Sequence, residues 1–275
     1  MQQMIGTLIR CGSIDERRIA FFKQIGLNAI QIAGVYEKWL APAESARKAS
    51  DELFGLFRKY DIAVPAMFLS YPDQDWEHPR ETVGLVPEKT RAERMILSCR
   101  QMTWAGHYGI KYITCHVGFV PEEQAESYGR LIADLKQLVL FAAANDQVFL
   151  FETGTEKLSD LKRTLDAIGE PNLGINFDPA NLLIYGNDDP SVLVEMMPEL
   201  VKVMHCKDAD RAPAGAAYGK ETVLGRGSTD FTALLKHLLN AGFKGPLIIE
   251  RELPLGPEQE RDIADAVKLI KSISE

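Results

Sequence analysis

The stretch Asn172-Leu-Gly-Ile-Asn-Phe-Asp-Pro-Ala-Asn181 decides the fold. Its first half is a short apolar run bounded by turn residues, which is typical of a buried strand. Asp178 follows at the point where this strand ends, and Pro179 has no N–H to donate to further strand pairing. The stretch is therefore predicted to be a strand that carries a carboxylate to the rim of a sheet.

Three other apolar runs end in the same way, each with one side chain that can bind a metal or transfer a proton. They are Gln147-Val-Phe-Leu-Phe-Glu152, Val201-Lys-Val-Met-His205 and Pro246-Leu-Ile-Ile-Glu250. Because long helical patterns separate these runs, the strands are expected to be parallel and to end at one common edge. The four polar residues are then predicted to meet there.

The alternation of strand and helix extends over the whole chain. Eight strands are predicted at 4–10, 27–33, 63–69, 111–116, 147–152, 172–177, 201–205 and 246–250. Eight helices are predicted at 15–25, 44–60, 90–108, 121–145, 159–168, 191–200, 230–240 and 258–272. This regular α/β alternation predicts a closed (β/α)₈ TIM barrel, with an open doubly wound sheet as the alternative. No linker or change of composition divides the chain, so residues 1–275 are predicted to form a single domain.

Composition limits the function classes that need consideration. The chain has 275 residues, of which 46% are hydrophobic and 25% charged, and a net charge of -8. That charge argues against nucleic acid as a partner, because binding a phosphate backbone relies on clustered Lys and Arg. A small polar substrate is the better expectation.

The absence of targeting features leads us to expect a cytoplasmic protein that has no membrane partner. No run reaches the ~18–20 apolar residues that a membrane span needs. The N-terminal residues lack the cationic and apolar regions of a signal peptide. Four cysteines, Cys11, Cys99, Cys115 and Cys206, have no CxxC spacing, so we expect reduced and mostly buried thiols.

The four rim residues are predicted to form a metal site. Three carboxylates beside one imidazole would repel one another unless a cation lay between them. Two Glu, one Asp and one His suit a divalent ion such as Mn²⁺, Mg²⁺, Co²⁺ or Zn²⁺. Strand alternation then places Asn176 and Lys207 inside the barrel as well and turns Cys206 outward. The alternative is that these residues are helix caps, solvated loop residues and a core histidine.

The motifs around these residues resemble a known group of enzymes. They are Phe151-Glu-Thr153, Phe177-Asp-Pro-Ala-Asn181, His205-Cys-Lys-Asp208, Gly225-Arg-Gly-Ser-Thr-Asp-Phe231 and Ile249-Glu-Arg251. Together they resemble the xylose isomerase-like superfamily of sugar isomerases and epimerases, over essentially the whole chain. That group includes D-tagatose and D-psicose 3-epimerases, hydroxypyruvate isomerase, inosose dehydratase and, more distantly, endonuclease IV.

The resemblance implies a mechanism and a set of residue roles. Glu152 and Glu250 would be catalytic, both ligating one divalent metal ion and shuttling protons on opposite faces of a substrate carbon. The metal would bind the carbonyl and hydroxyl oxygens and stabilise an enediolate. Arg211, six residues after the ligand His205, would help to hold the substrate oxygens. A homo-oligomer is also implied.

Two departures from the superfamily pattern bear on the substrate. The 3-epimerases have a second histidine three residues after the aspartate ligand, where this chain has Asn181. Many members have a glutamate late in the second strand, where this chain has Gln31. Both departures leave open a substituted sugar or a keto sugar in place of a free ketose.

Further substrate contacts are predicted for His116, Asn181 and Lys207. His116 lies at the end of the fourth strand with inward parity, and the alternative for it is a structural histidine. Lys207 could hold an oxyanion of the substrate or pair with a neighbouring acid of the rim.

Two loops are candidates for substrate contacts. The long segment 71–89, with Trp76 and His78, is a candidate lid that could give the sugar an apolar wall, or an oligomer contact. Gly225-Arg-Gly-Ser228 could bind phosphate through its amides. The favoured alternative is a tight turn in which Ser228 or Asp230 caps the next helix.

The leading functional prediction is a metal-dependent isomerase or epimerase of a sugar or keto sugar, with a dehydratase on the same site as the runner-up. An endonuclease IV-like hydrolase is disfavoured, because its zinc site needs many histidines and this chain has five. A non-catalytic sugar-binding barrel would be expected to lack Glu152 or Glu250, and both are present.

Overall fold

The computed structural model describes residues 3–274, and eight strands within them close into a barrel. The described residues contain ten strands, of which β8 and β9 form a separate pair outside the barrel. In chain order they are β1 (Ile5–Arg10), β2 (Ala29–Ala33), β3 (Ala63–Phe68), β4 (Tyr112–Cys115), β5 (Val148–Glu152), β6 (Leu173–Phe177), β7 (Val201–Cys206), β8 (Asp208–Asp210), β9 (Lys220–Thr222) and β10 (Leu247–Ile249). The barrel has the order β1-β10-β7-β6-β5-β4-β3-β2, and all its pairs are parallel. The predicted TIM barrel is confirmed.

Helices follow the barrel strands. They are α1 (Glu16–Gln24), α2 (Glu37–Leu40), α3 (Glu44–Lys59), α4 (Pro79–Thr82), α5 (Glu88–His107), α6 (Glu126–Ala144), α7 (Leu158–Ile168), α8 (Pro179–Ile184), α9 (Pro190–Met196), α10 (Phe231–Asn240) and α11 (Pro257–Ser274). Local signals set some of their ends. Asp15 caps α1 by accepting a hydrogen bond from the backbone N–H of Arg18, and Gly26 follows its last turn with a φ of 92°.

Several short elements were not predicted from the sequence. α2, α4 and α8 are single turns or little more, too short for a periodic apolar pattern. The helix predicted at 191–200 is α9 followed by the 3₁₀ turn Pro198–Leu200. β8 and β9 form an antiparallel pair with Asp208 opposite Thr222, and with three residues each they are too short for a recognisable alternation of polar and apolar residues.

The apolar side chains inside the barrel show which positions of each strand point inward. Ala66, Leu150, Val203 and Ile248 form a small, fully buried apolar cluster inside the barrel. Glu152, His205 and Glu250 each lie two residues further along a strand direction than a member of this cluster. Because side chains in a strand alternate with a period of two, they also point inward. A layer of apolar side chains therefore fills the barrel beneath the polar residues of the rim.

The outer face of the strands packs against the helices in a second, much larger core, which includes Cys206 as predicted. All four cysteines are free; Cys11, Cys115 and Cys206 are buried and Cys99 is partly buried. Among residues 3–274, the structure has no helix of the length and apolar character needed to cross a membrane.

Candidate metal centre

Four side chains converge at the carboxyl ends of adjacent barrel strands. One possible ligand atom from each of Glu152, Asp178, His205 and Glu250 lies within 4.8 Å of the others. Glu152 ends β5, Asp178 follows β6, His205 belongs to β7 and Glu250 follows β10. Because these four strands are neighbours in the barrel, their ends bring together residues that are far apart in the chain. All four predicted metal ligands therefore belong to one cluster.

His205 lies at the centre of the cluster. Its Nδ1 is 2.8 Å from Oε1 of Glu152, 2.8 Å from Oε2 of Glu250 and 3.6 Å from Oδ2 of Asp178. The side chains of His205, Glu152 and Asp178 are buried, and that of Glu250 is 13% exposed. Of the four residues, Glu250 is therefore the one most open to an incoming molecule.

Asp178 serves the fold and the cluster with different oxygens. Its Oδ1 accepts a hydrogen bond from the backbone N–H of Asn181 at 3.0 Å and caps α8. Its Oδ2 faces His205. The alternative role of this carboxylate, as a helix cap, therefore applies to Oδ1 alone. Oδ2 is still available to bind a metal ion.

The donor atoms fit a divalent cation. Five buried atoms of the cluster make no hydrogen bond of sound geometry within residues 3–274: Oε1 and Oε2 of Glu152, Oδ2 of Asp178, Nδ1 of His205 and Oε2 of Glu250. Buried polar atoms without partners are costly and rare in folded proteins. One imidazole nitrogen and three carboxylates, all facing one point, match the donor set of Mn²⁺, Mg²⁺, Co²⁺ or Zn²⁺.

Electrostatics in the cluster are dominated by the close approach of imidazole and carboxylate. Burial lowers the pKa of His205, but the charges of Glu250 and Glu152 outweigh it and raise that pKa well above its usual value. Burial raises the pKa of Glu152, but His116 and His205 outweigh it and hold that pKa well below its usual range. Without a cation, a proton on an imidazole balances part of the negative charge.

The far side of the His205 ring is also engaged. Its Nε2 lies 2.7 Å from Oε1 of Gln31, which extends from β2. Nε2 of Gln31 donates to Oγ1 of Thr114, on β4, at 3.1 Å. All three side chains are fully buried. Gln31, which departs from the superfamily pattern, is thus a direct partner of a candidate ligand.

His116 belongs to the site through Glu152. Its Nε2 lies 2.7 Å from Oε2 of Glu152, while its Nδ1 is buried without a hydrogen-bond partner in the described chain. Burial lowers the pKa of His116, and the charge of Glu152 more than reverses this and raises it. The ring of Trp76, 5.3 Å away between centroids, packs edge-on against His116. The predicted lid therefore reaches the site.

Lys207 is a buried cation among acids. Its Nζ lies 2.7 Å from Oε1 of Glu252, 3.6 Å from Oε1 of Glu250, 3.8 Å from Oδ2 of Asp178 and 3.4 Å from Oδ1 of Asn181. Burial lowers the pKa of Lys207, but these carboxylates outweigh it and raise the pKa well above its usual value. Both Lys207 and Asn181 are therefore placed beside the cluster.

Arg211 lies elsewhere. Its guanidinium pairs with Asp189 at 2.9 Å and its side chain is 50% exposed. It is not one of the residues that converge in the cluster, so its contact with the substrate oxygens stays a prediction. Only β8 lies between Lys207 and Arg211, and it pairs with β9 further along the chain.

The glycine loop (residues 225–228), which follows β9, binds the carboxylate of Asp208. Oδ2 of Asp208 accepts hydrogen bonds from the backbone N–H groups of Gly225 and Gly227, at 2.9 and 3.0 Å. Its Oδ1 accepts from the N–H and the hydroxyl of Thr229. A Cβ on Gly227 would clash with this carboxylate. Asp208 thus takes the position that a phosphate would need.

The expected capping of the next helix is wrong in its detail. Ser228 donates its hydroxyl to Asp210 at 2.7 Å. Asp230 occupies the N-cap position of α10 in a left-handed conformation and makes no side-chain capping bond. The loop is therefore a turn, which was the favoured alternative to a phosphate site. Hydrogen bonds to Asp208, and not a helix cap, hold it in place.

A further acid near the site, Glu156, was not predicted from the sequence. Glu156 is buried four residues after Glu152, and Oγ1 of Thr155 lies 2.8 Å from its Oε2. Burial raises the pKa of Glu156 to about 7, against smaller lowering effects from Thr155 and His116. An acid in a loop has no periodic signal, so the sequence could not show that this one is buried.

Aromatic side chains surround the entrance. Tyr185 packs edge-on against both Phe119 and Tyr218, and the guanidinium of Arg80 lies 4.4 Å from the centre of the Phe119 ring. Arg80 is carried by α4, in the same segment as Trp76. This segment therefore contacts the connection after β4 at two points, His116 through Trp76 and Phe119 through Arg80.

Comparisons with known proteins agree with this architecture. The chain is 30% identical to a xylose isomerase domain protein from Planctomyces limnophilus, whose crystal structure superposes with a TM-score of 0.90 over 99% of this chain and 98% of that one. A crystal structure of 3-keto-D-glucoside 4-epimerase from E. coli is 15% identical, with a TM-score of 0.70 over 98% of this chain and 100% of that one, and shares the fold.

A curated relative matches over a shorter region. The rhizopine catabolism protein MocC of Rhizobium meliloti is 29% identical over 144 residues, which are 47% of this chain and 43% of that protein. The match thus spans less than half the length of that relative. The profile described as "Xylose isomerase-like TIM barrel" matches residues 19–273. The chain therefore belongs to the xylose isomerase-like TIM barrel family.

Proposed function

We propose that this protein is a divalent-metal-dependent isomerase or epimerase of a keto sugar, which moves a proton at a carbon next to a carbonyl. The observation that carries the proposal is the convergence of Glu152, Asp178, His205 and Glu250 within 4.8 Å at the rim of the barrel. Membership of the xylose isomerase-like family supports it, as does the similarity in fold to an enzyme named as a keto-glucoside epimerase.

The four converging residues would hold one divalent ion, with Mn²⁺, Mg²⁺, Co²⁺ and Zn²⁺ all compatible with their donor atoms. Such an ion, when bound, supplies Lewis acidity that polarises a carbonyl and makes the neighbouring C–H more acidic. Nδ1 of His205 would be its nitrogen ligand, because Nε2 is already engaged with Gln31.

Glu152 and Glu250 would be the catalytic bases. They extend from β5 and β10, which are separated in the barrel by β6 and β7, so they approach the cluster from its two ends. A sugar carbon between them would meet one carboxylate on each side. One carboxylate removes the proton and the other returns it, which inverts a centre or moves a carbonyl.

Three neighbouring side chains would bind the substrate. The ammonium group of Lys207, held between acids, would balance negative charge on a substrate oxygen. The Asn181 amide lies beside Lys207 and can accept or donate a hydrogen bond. Nδ1 of His116, which is buried without a partner, could meet a hydroxyl group. The substrate contact implied for Arg211, which pairs with Asp189 in this structure, stays a prediction.

The segment that contains Trp76 would close over the bound sugar. Trp76 is 47% exposed at the entrance and packs on His116, so its ring can give a sugar an apolar wall. The proposed partner is thus a small molecule, with no nucleic acid and no membrane. We place the enzyme in the cytoplasm, in keeping with its free cysteines. A homo-oligomer remains a prediction, which sedimentation would test.

A dehydratase is the second candidate, and Glu156 favours it. Removal of water after proton abstraction needs a group that protonates the leaving hydroxyl. Burial raises the pKa of Glu156 to about 7, so a large fraction of this acid carries a proton near neutrality. The charge of His116 lowers the pKa of Glu156 somewhat, so the two side chains lie near each other.

The test is exchange of substrate hydrogen for deuterium. Protein stripped with a chelator and reloaded with Mn²⁺ or Mg²⁺ would be incubated in D₂O with ketoses, hydroxypyruvate, inosose and 3-keto-glycosides, and the products weighed by mass spectrometry. Gain of deuterium without loss of water supports the isomerase or epimerase, and loss of water supports the dehydratase. Absence of exchange throughout the panel by an ion-loaded protein would contradict both.

A further inference from the structure

We propose that Gln31, oriented by Thr114, is a positioning residue that fixes the tautomer of His205 and thereby sets the affinity of the rim for its metal ion. The inference rests on the proposed metal site but concerns residues that do not themselves belong to the ligand set. It assigns a role to the one inward-facing side chain of β2 that departs from the superfamily pattern.

Only one nitrogen of a neutral His205 ring can bind a metal ion. A neutral imidazole has one N–H and one free lone pair, and only the nitrogen with the lone pair can bind a metal. Nδ1 faces Glu152 and Glu250 at 2.8 Å, so Nδ1 must be the nitrogen without a proton when an ion is bound. The proton must then be on Nε2.

The amide oxygen of Gln31 faces Nε2 of His205. Oε1 of Gln31 lies 2.7 Å from it, and a carbonyl oxygen can only accept a hydrogen bond. This contact stabilises the tautomer with the proton on Nε2. Both side chains are fully buried, so water does not compete for either group. Partners of this kind on metal-binding histidines typically change metal affinity by 10–100-fold.

The hydroxyl group of Thr114 orients the Gln31 amide. Its Nε2 donates to Oγ1 of Thr114 at 3.1 Å, which keeps Oε1 directed at His205. A reversed amide would present an NH₂ group to the ring and favour the tautomer that places a proton on Nδ1, among the carboxylates. Thr114 therefore selects the orientation of Gln31 in which His205 can bind a metal.

This arrangement spans the barrel. Gln31, Thr114 and His205 belong to β2, β4 and β7, which lie on different sides of the closed sheet. The ring of Phe68 is inclined by 28° to that of His205, with 6.2 Å between the centroids. The Gln31 amide contacts the edge of the imidazole.

The test compares Mn²⁺ affinity, measured by titration calorimetry and by the EPR signal of free Mn²⁺, in chelator-treated protein. Gln31→Met keeps the length and volume of the side chain but removes the acceptor, and we expect its Kd to rise by about 10–100-fold. Gln31→Glu retains an acceptor for the Nε2 proton, and its Kd should stay within about threefold of the wild-type value or fall below it.

Two further variants separate positioning from a general structural role. Thr114→Val releases the amide, and its Kd should rise by a smaller factor, about three- to tenfold. Gln147→Met removes a buried amide that bonds the backbone carbonyls of Met102 and Ile110, outside the rim. This control should lower the thermal stability and leave the Mn²⁺ affinity unchanged.

A spectroscopic measurement reports the tautomer directly. In Zn²⁺-loaded protein, nitrogen NMR of the His205 ring should show a protonated Nε2 in the wild type and in Gln31→Glu. The inference is overturned if Gln31→Met and wild type bind Mn²⁺ with equal Kd. If the wild type binds no ion, both this inference and the proposed function fail; if it binds an ion but exchanges no substrate hydrogen, only the proposed function fails.

Discussion

Nδ1 of His205 lies 2.8 Å from Oε1 of Glu152, although neither atom makes a hydrogen bond of sound geometry within residues 3–274. Two buried polar atoms so close together need a shared proton or a shared cation. The fold places them there because β5 and β7 end at the same rim. This contact is the basis for expecting that the stability of the protein depends on a metal ion.

Addition of Mn²⁺ to the chelator-treated protein should raise its free energy of unfolding. An ion that binds only the folded state, at a concentration 100 times its Kd, stabilises by about 2.7 kcal/mol. Asp178→Asn removes one ligand charge and should abolish most of this gain. Urea unfolding with and without Mn²⁺ measures this increase in the free energy of unfolding. Asp134→Asn, on α6, is the control and should show the same increase as the wild type. An equal gain in Asp178→Asn would contradict the site.

Substitution of Glu250 should remove proton transfer. Glu250→Gln keeps the shape of the side chain but cannot accept the substrate proton, so deuterium incorporation should fall by about 10²–10⁴-fold. Mass spectrometry of the recovered sugar measures this rate. Glu258→Gln changes an exposed glutamate in the first turn of α11 and should leave the rate as it is. Full exchange by Glu250→Gln would exclude this residue as a base.

Asp208 should be important for stability. Its carboxylate accepts hydrogen bonds from Gly225 and Gly227 with one oxygen and from Thr229 with the other. In Asp208→Asn, the new NH₂ group must face N–H donors in either orientation, so the free energy of unfolding should fall by about 3 kcal/mol. Asp210→Asn, at an exposed position, should cost under about 1 kcal/mol. Similar losses in both variants, measured by urea unfolding, would argue against this role.

Glu156 should make the protein less stable as the pH rises. Burial raises its pKa from 4.5 to about 7, so between these values the unfolded chain is ionised while the folded protein keeps its proton. Stability therefore falls across this range, and above pH 7 the full cost is about 3 kcal/mol. Glu156→Gln cannot ionise and should lack this loss.

Urea unfolding at pH 4.5 and at pH 8 measures the effect of Glu156. Relative to wild type, Glu156→Gln should gain about 3 kcal/mol between the two pH values, whereas Glu123→Gln, at an exposed position, should change in parallel with wild type. A parallel change in Glu156→Gln would show that folding does not raise the pKa of this acid.

Proton counting supports a neutral Glu156. Oγ1 of Thr155 lies 3.1 Å from the carbonyl oxygen of Gly118 and 2.8 Å from Oε2 of Glu156. One hydroxyl has one proton and cannot donate it fully to both acceptors. A protonated Glu156 resolves this, because it can donate to Thr155 while Thr155 donates to Gly118.

The barrel and its four candidate ligands could be predicted because their signals are local. An apolar run that ends in Glu152 or Asp178 is visible within ten residues of sequence, and the period of two assigns an inward direction without knowledge of the partner strand. Repetition of this pattern along the chain was then enough to bring His205 and Glu250 to the same rim.

The remaining features depend on contacts between distant parts of the chain. Gln31 and His205 are separated by 174 residues, and their contact exists because the sheet closes and turns both side chains toward one axis. Asp208 fills the glycine loop because β8 and β9 pair, and Arg211, just after β8, pairs with Asp189, 22 residues earlier in the chain. The sequence by itself determined which strands carry the chemical groups, because strand periodicity is a local property. Only the tertiary structure decided which of those groups meet, because closure of the barrel sets the distances between side chains.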